Sequence, residues 1–422
     1  MWETLKRAFK LKELRKRIWV TLILFVLFRL GTYIPVPGID RAAIQGLLQK
    51  GGFLALLNLF SGGGFGNFSI FALSVIPYIN ASIILQLLTE VIPSLKQIAK
   101  EGGEEGQKKM AMYTRRLTLL LAALQSASVL IMFKNYLVSN SVLLKIVIIM
   151  SLIAGSYIVL WLGEIMTEKG IGNGVSLIIF AGIVSRIPVG LVEVKQLYSA
   201  HSLSIGSIIG EILGMLVLVV GVIYAYQAER RIPVQYAKRI VGRKVYGGQS
   251  TYIPLRLVQA GVLPIIFAVS VMMFPVTIGQ FWPNSWFNVH IAKPYFGTPT
   301  GLWYNIIYFL LIVFFTYFYT ELTYDPIQLS DDLKKYGGFI PGIRPGKPTA
   351  EYIASVLNKI VLPTSIFLGL VAVIPNLLFR KMEVTAFVFG GTSILIIIGV
   401  ALETMQEIEA YLLMRHYKGF LK

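Results

Sequence analysis

Ten long runs of apolar residues, bounded by charged residues or by Gly and Pro, dominate this 422-residue chain. A helix needs about 20 mostly apolar residues to cross a hydrocarbon core about 30 Å thick. The runs are close to that length, so the sequence predicts an all-α polytopic membrane protein with about ten transmembrane helices. The predicted spans are residues 18–34, 70–92, 117–133, 143–163, 175–187, 205–227, 255–276, 303–322, 352–378 and 384–402.

The overall composition excludes a water-soluble fold. Hydrophobic residues make up 55% of the chain and charged residues only 14%, whereas an ordinary soluble domain has about 25% charged residues. The formal net charge is +18, but a nucleic-acid-binding domain with that charge would not be so apolar. Because the chain contains no cysteine, disulfides, iron–sulfur clusters and thiolate chemistry are excluded as well.

The basic residues are concentrated in alternate connections between the spans. If the N-terminus is cytoplasmic, 28 of the 39 Lys and Arg residues lie on the cytoplasmic side. An excess of Lys and Arg in cytoplasmic connections is the usual determinant of orientation. We therefore expect both termini to lie in the cytoplasm.

Two cytoplasmic connections, residues 229–254 and 324–350, are long, basic and rich in Gly and Pro. They could project from the membrane as ordered hairpins. One interpretation is that their charge sets the topology and attracts anionic lipids, at about 1 kcal/mol per basic residue near the surface. The other is a docking face for a large partner that is acidic or contains RNA.

The motifs give little support to nucleotide binding or catalysis. The segment Gly342-IRPGKPT lacks the G-x-x-x-x-G-K-[ST] spacing of a phosphate-binding loop, and Pro348 occupies the hydroxyl position. The segment Gly170-IGNG follows no predicted strand and is better interpreted as a tight connection between spans. We expect no enzymatic activity, cofactor or metal site. A secondary solute transporter stays as the alternative, although mid-span carboxylates, the usual ion relays, are almost missing.

The segment 53–70, FLALLNLFSGGGFGNFSI, indicates a re-entrant element. Its apolar part is about two turns long and is too short to cross the membrane. A short helix followed by flexible glycines can lie at membrane depth only where protein or a watery cavity surrounds it. A surface loop is the alternative interpretation. Arg29, the deepest charge of the predicted spans, is either a functional residue or a tie between helices.

Spans two and seven contain the helix-interrupting residues Pro77 and Pro264 together with polar amides, and this combination indicates helices whose packing is not permanent. The amides are Asn80, Gln86 and Gln259.

Seven motifs, in order along nearly the whole chain, resemble the SecY family of channel subunits of bacterial Sec protein translocons. They are Gly31-TYIPVPGID, Asn67-FSIFALSVIPYINASIILQLLTE, Trp161-LGEIMTEKGIGNGVSLIIFAGIV, Tyr236-AKRIVGRKVYGGQSTYIPL, Ala260-GVLPIIFA, Phe339-IPGIRPG and Phe389-GGTSILI.

The resemblance implies two pseudo-symmetric halves of five spans around a central pore, with an aliphatic ring at its waist. A narrow apolar constriction offers a passing chain no hydrogen bonds and tends to dewet. Matched motif by motif, the ring residues are Val75, Ile79, Ile179, Ile266 and Ile396. The re-entrant segment, at about 53–66, resembles the plug of the resting channel. Its predicted plug residues are Phe53, Leu56, Leu57, Leu59, Phe60, Gly62, Gly63 and Gly64.

The resemblance also implies a lateral gate between spans two and seven and a docking face on the long basic loops. The gate residues are Asn80, Gln86, Val258 and Gln259, with Val258 at a position where many relatives are expected to have Asn. Arg344 is the residue expected to couple the channel to a motor or ribosome. The other docking contacts are Lys238, Arg239, Arg243 and Lys244.

The function implied by the resemblance is a passive protein-conducting channel of the cell membrane. It would pass unfolded preproteins across the membrane and release transmembrane segments sideways. The expected partners are the small subunits SecE and SecG, the motor SecA, the ribosome, preproteins with signal sequences and anionic lipids, with no direct nucleotide binding. The predicted divisions are 1–17, a basic cytoplasmic segment; 18–190, spans one to five; 191–404, spans six to ten; and 405–422, a cytoplasmic tail.

Overall fold

The structure is a computed structural model, and its described residues are 6, 8–39, 44, 53–101, 103–200, 204–236, 239–241, 244–246, 250–378 and 390–419. We number the elements in chain order. The helices are α1 (Lys12–Gly31), α2 (Phe53–Phe60), α3 (Ile76–Val91), α4 (Pro93–Glu101), α5 (Gly103–Met132), α6 (Val142–Lys169), α7 (Gly174–Ser199), α8 (Ile205–Gln227), α9 (Leu263–Gly279), α10 (Leu302–Thr323), α11 (Pro326–Lys335), α12 (Lys347–Leu378) and α13 (Gly391–Gly419). The strands are β1 (Glu229–Tyr236), β2 (Arg239–Val241), β3 (Lys244–Tyr246), β4 (Ser250–Arg256) and β5 (Gly338–Phe339).

The described chain is a bundle of apolar helices, which confirms the all-α polytopic membrane class. Seven helices are long and apolar enough to cross a membrane, and an eighth span results if the pair α3 and α4, bent by 109°, counts as one. The apolar helix α9 has only 17 residues, and α1 begins in the basic stretch KELRKR. Each predicted span nevertheless overlaps one of these helices.

Several predicted boundaries were wrong. Span seven was predicted to begin at Leu255, but Leu255 and Arg256 pair with β1 in strand β4, and α9 begins only at Leu263. Residues 70–75, predicted as the start of span two, form turns, and α3 begins at Ile76.

The two prolines that were expected to interrupt spans lie elsewhere in their helices. Pro77 and Pro264 both occupy the first turns of their helices, where a backbone N–H has no intrahelical partner to lose. They therefore start α3 and α9 and do not break them.

Two of the predicted divisions of the chain, after residues 190 and 404, fall inside continuous helices. Helix α13 extends to Gly419, so residues 405–419 continue the last span as helix, while residues 384–389 of the predicted span lie outside the described part. The predicted division after residue 190 falls inside α7. The grouping of the spans into two halves stays a prediction.

A side-chain cap and a hydrogen bond from α1 fix the connection between α6 and α7. The segment 170–173 is a tight link between α6 and α7, in which Asn173 Oδ1 caps α7 by accepting a hydrogen bond from the Ser176 N–H at 3.1 Å. Arg17 on α1 donates to the Gly170 carbonyl oxygen at 3.0 Å. The link is thereby tied to the start of the first span.

The two long basic connections fold together outside the helix bundle. Strands β4, β1 and β5 form a three-stranded antiparallel sheet in that order, with Ile232 opposite Ile253 and Gln235 opposite Phe339. Strands β2 and β3 form a hairpin. The sheet has its own apolar core against the start of α12, formed by Ile232, Val234, Leu255, Ile340, Ile353 and Leu357.

Candidate functional site

The predicted plug begins as a short helix, α2, that ends in an ordered glycine cap. The Gly63 N–H donates to the Asn58 carbonyl at 2.8 Å, and the Gly62 N–H donates to the Leu59 carbonyl at 3.0 Å. Gly62 and Gly63 have φ values of 63° and 89°, which are disfavoured for residues with a side chain. This pair of hydrogen bonds is a Schellman motif. The glycine run, predicted to be flexible, is therefore a specific helix end.

Helix α2 packs against α7 inside the bundle. Leu57, Leu59 and Phe60 are buried and Leu56 is half-buried. A Cβ atom on Gly62 would lie 3.0 Å from the Cα of Gly182, so two glycines allow the backbones to meet. The side chain of Phe53 lies outside the described part.

The turns that follow α2 are tied to the loop that follows α1. The Val36 N–H donates to the Phe68 carbonyl and the Ile70 N–H donates to the Ile34 carbonyl, both at 2.9 Å. A Cβ atom on Gly64 would lie 2.9 Å from Ser69 Oγ. The predicted plug is consequently held between α1 and α7.

The turn immediately before α3 has a strained backbone. Phe68 and Ser74 have φ values of 44° and 50°, in a region that residues with a side chain rarely adopt. The Ser69 and Ser74 hydroxyls are buried and have no partner within the described residues. Such strain persists only where the surrounding structure imposes it.

The five predicted ring residues are all buried in the main hydrophobic core. Val75 precedes α3, Ile79 lies on it, and Ile179, Ile266 and Ile396 lie on α7, α9 and α13; none is more than 4% exposed. Helix α3 contacts α9, α9 contacts α13, and α13 contacts α7. The same cluster contains Leu57, Leu59 and Phe60 of the predicted plug. The structure thus brings these helices and the plug residues into one apolar cluster, and the role of the ring stays a prediction.

The helices of the predicted gate, α3 and α9, are in contact, and the predicted gate residue Gln86 bonds to a third helix, α10. Gln86 Oε1 accepts a hydrogen bond from the Tyr319 hydroxyl on α10, and Gln86 Nε2 donates to Ser82 Oγ at 3.0 Å. Asn80 is buried, and its Nδ2 has no partner within the described residues. The Tyr319 ring lies 5.0 Å from that of Phe267 on α9, so α10 connects the two gate helices.

Val258 and Gln259 lie in the turn before α9. Val258 is buried, and Gln259 Nε2 is buried without a partner within the described residues. They line a cavity of about 280 Å³ at the sheet end of the bundle. Tyr226 also lines the cavity, and its buried hydroxyl has no hydrogen-bond partner within the described residues.

Sequence reasoning missed Glu403 at this cavity. Glu403 Oε1 accepts a hydrogen bond from the Val262 N–H at 3.1 Å and so caps the start of α9 from α13. Gly261, with a φ of 61°, allows this approach, because a Cβ there would lie 2.1 Å from the same oxygen. The last span was predicted to end at residue 402, which left Glu403 outside it.

Of the predicted docking residues, the structure describes the side chain of Arg344 but not those of the other four. Arg344 is exposed in the turn after β5, where its carbonyl accepts a hydrogen bond from Thr349 Oγ1 at 2.8 Å. Arg239 and Lys244 lie in the hairpin of β2 and β3, but their side chains are outside the described part. Lys238 and Arg243 lie outside it entirely.

The neighbouring sheet surface carries paired charges. Glu229 accepts a hydrogen bond from Arg231 Nε at 2.6 Å and raises the pKa of the guanidinium. The guanidinium also lies over the Tyr252 ring, 4.7 Å from its centroid.

The fold of this bundle of apolar helices, with the short helix α2 packed inside it, is shared with known channel structures. The chain superposes on a structure described as a protein-conducting channel with a TM-score of 0.68 at 21% identity, covering 94% of this chain and 92% of that one. It also superposes on Sec61 in the canine ribosome–channel complex from the endoplasmic reticulum, with a TM-score of 0.64 at 19% identity and the same coverage.

Sequence comparison then identifies the family. A family model described as SecY matches residues 69–405. Protein translocase subunit SecY of Corynebacterium glutamicum is 43% identical over 442 aligned positions, which cover 99% of both chains. The chain therefore belongs to the SecY family.

Proposed function

We propose that this protein is the channel subunit of a protein translocase, which passes unfolded preproteins across the cell membrane and releases transmembrane segments sideways into the bilayer. The observation that carries this proposal is that the five ring residues and Leu57, Leu59 and Phe60 of α2 are all buried in the main hydrophobic core of the bundle. An aliphatic waist closed by a short helix would seal the resting membrane and would not hold a passing chain by hydrogen bonds.

The contact between α3 and α9 supports a lateral exit. Ile79 on α3 and Ile266 on α9 are buried. Asn80 Nδ2 on α3 and Gln259 Nε2 in the turn before α9 are buried without a partner within the described residues. Unsatisfied buried amides weaken a closed contact. A sufficiently hydrophobic segment that enters the parted gate would then partition into lipid according to its own transfer free energy.

The energy for transport would come from partners. The basic sheet and hairpin, with exposed Arg344 near them, fit a cytoplasmic docking face for the SecA motor or the ribosome, and both termini would lie on that side. SecE and SecG would complete the complex, and anionic lipids would attract the basic loops. The channel itself would bind no nucleotide and catalyse no reaction.

Site-specific crosslinking tests this function. In the assembled complex, photo-crosslinkers at Ile79 and Ile266 should capture a preprotein stalled in transit. A crosslinker at Val217, 72% exposed on the outer face of α8, is the matched control and should capture much less. Equal capture at all three positions, or transport of a small solute with no captured polypeptide, would exclude the proposed channel.

A further inference from the structure

Arg29 makes three contacts at the end of α1, of which one joins α1 to the glycine turn after α2 and two are with Tyr33. Its Nη1 donates to the Gly62 carbonyl oxygen at 2.5 Å, and its Nη2 donates to the Tyr33 hydroxyl at 3.0 Å. The guanidinium carbon also lies 5.1 Å from the centroid of the Tyr33 ring. The side chain is half-buried, so its orientation is defined by these partners.

The carbonyl that Arg29 contacts belongs to the capped end of a helix. Backbone carbonyls at a helix C-terminus have no intrahelical donors and carry partial negative charge. The Schellman motif satisfies the carbonyls of Asn58 and Leu59 and turns the chain so that the Gly62 carbonyl faces α1. A cation is the favourable partner at such an end, and a charge-assisted hydrogen bond is stronger than a neutral one.

The other side of the same turn is held by α7. Gly62 approaches the Gly182 backbone, and a Cβ on Gly63 would lie 3.5 Å from a guanidinium nitrogen of Arg186. Residues 51–70 contain no charged side chain. A cation can therefore hold this segment by polar attraction only through its backbone carbonyls and its few polar side chains, and Arg29 has such a bond.

We propose that Arg29 is the positioning residue that holds the plug in its closed position, by a bond from α1 to the capped end of α2. This inference rests on the proposed function, because it assigns to α2 the role of the plug. Opening requires the bond to break while α2 leaves α7. The strength of this one bond then sets how often the resting channel leaks.

Resting ion conductance in planar bilayers tests the proposal on the complete channel complex. Arg29→Gln removes the charge and shortens the side chain, so it should raise the conductance about ten- to a hundredfold, the effect of losing one hydrogen bond to a charged group. Arg29→Lys retains a charged donor and should restore part of the seal. Lys195→Gln, which removes an exposed positive charge near the end of α7, is the matched control and should leave the conductance unchanged.

A thiol-labelling experiment reports the position of α2 directly. The chain contains no cysteine, so Leu57→Cys introduces its only thiol at a buried position of α2. A membrane-impermeant maleimide should label this thiol slowly in the Leu57→Cys channel and faster when Arg29→Gln is also present. The complex without Leu57→Cys gives the background from partner subunits.

The outcomes separate this inference from the proposed function. If Arg29→Gln translocates preproteins but keeps the parental conductance and labelling rate, the positioning role of Arg29 is refuted and the channel function stands. If the parent complex captures no preprotein in the crosslinking experiment, the channel function itself fails. A leak of the same size in Lys195→Gln would show a general charge effect and would also overturn the proposal.

Discussion

The substitution Gly155→Ala should destabilise the protein strongly, because α6 touches a backbone carbonyl at this residue. A Cβ on Gly155 would lie 1.7 Å from the Ile70 carbonyl oxygen and 2.5 Å from its carbonyl carbon. Carbon and oxygen atoms that are not bonded normally stay more than about 3 Å apart, and a backbone atom cannot rotate away as a side chain does. Because the added Cβ would lie only 1.7 Å from the Ile70 carbonyl oxygen, either α6 or the turn before α3 must move by more than about 1 Å.

The magnitude follows from the cost of overpacking, which is typically about 1–3 kcal/mol and more when backbone has to shift. We expect a loss of at least about 3 kcal/mol, only partly offset by the gain of about 1 kcal/mol from replacing a helical glycine by alanine. Because Ile70 lies between the plug turns and α3, the displacement should reach the predicted ring at Val75.

The assay is the apparent melting temperature of the purified complex in detergent, measured for Gly155→Ala and for Gly210→Ala. The control Gly210 also lies within a helix, α8, but apart from its own helix backbone and chain neighbours no atom of the described residues lies within 4 Å of its added Cβ. Gly210→Ala should be as stable as the parent or slightly more stable. If Gly155→Ala melts at the same temperature as Gly210→Ala, the inferred contact between α6 and Ile70 is wrong.

Three further predictions concern the pore, the docking face and the start of α9. Ile179→Asn places a polar group in the apolar cluster and should raise resting ion conductance several-fold; an unchanged conductance would place the constriction elsewhere. Arg344→Glu should leave channel assembly normal but slow motor-driven export by more than about tenfold, because it reverses the charge of the docking residue. Lys335→Glu reverses another exposed charge on the same connection and should slow export less. Equal effects of the two substitutions would show that Arg344 has no special role. Glu403→Leu should lower the stability of the protein by about 0.5–2 kcal/mol, the usual cost of losing a helix cap, and thermal melting measures this change. Glu403→Gln keeps an acceptor for the Val262 N–H and should lower the stability less. Equal losses of stability in the two variants would show that the cap is unimportant.

Hydropathy predicted the helices well but could not distinguish a membrane span from a small core outside the bundle. Leu255 was predicted to begin span seven, yet it belongs to β4 and is buried with Ile232 of β1. A run of apolar residues has the same hydropathy in a membrane span and in a strand of a small core. Only the pairing of β1 with β4 decides that the span begins later.

The candidate site was predictable mainly where motifs matched those of a known family. The ring residues have no distinguishing feature as individual aliphatic residues, and Glu403 was missed because its partner, the Val262 N–H, is 141 positions away along the chain. The glycines at 62 and 63 signalled an unusual backbone, but not that the turn would be a rigid cap against Gly182. Their spacing after α2 matches a Schellman motif, and this signal could have been used.

The sequence by itself determined that this is a polytopic membrane protein, roughly where its spans lie, and that its positive charge is concentrated in alternate connections. These properties follow from transfer free energies and charges that add along the chain, so they can be evaluated locally. Only the tertiary structure decided that α2 lies against α7, that Gln86 bonds to α10, and that the connections 229–254 and 324–350 join in one sheet. These features depend on shape complementarity and hydrogen bonds between distant residues, which no local pattern specifies.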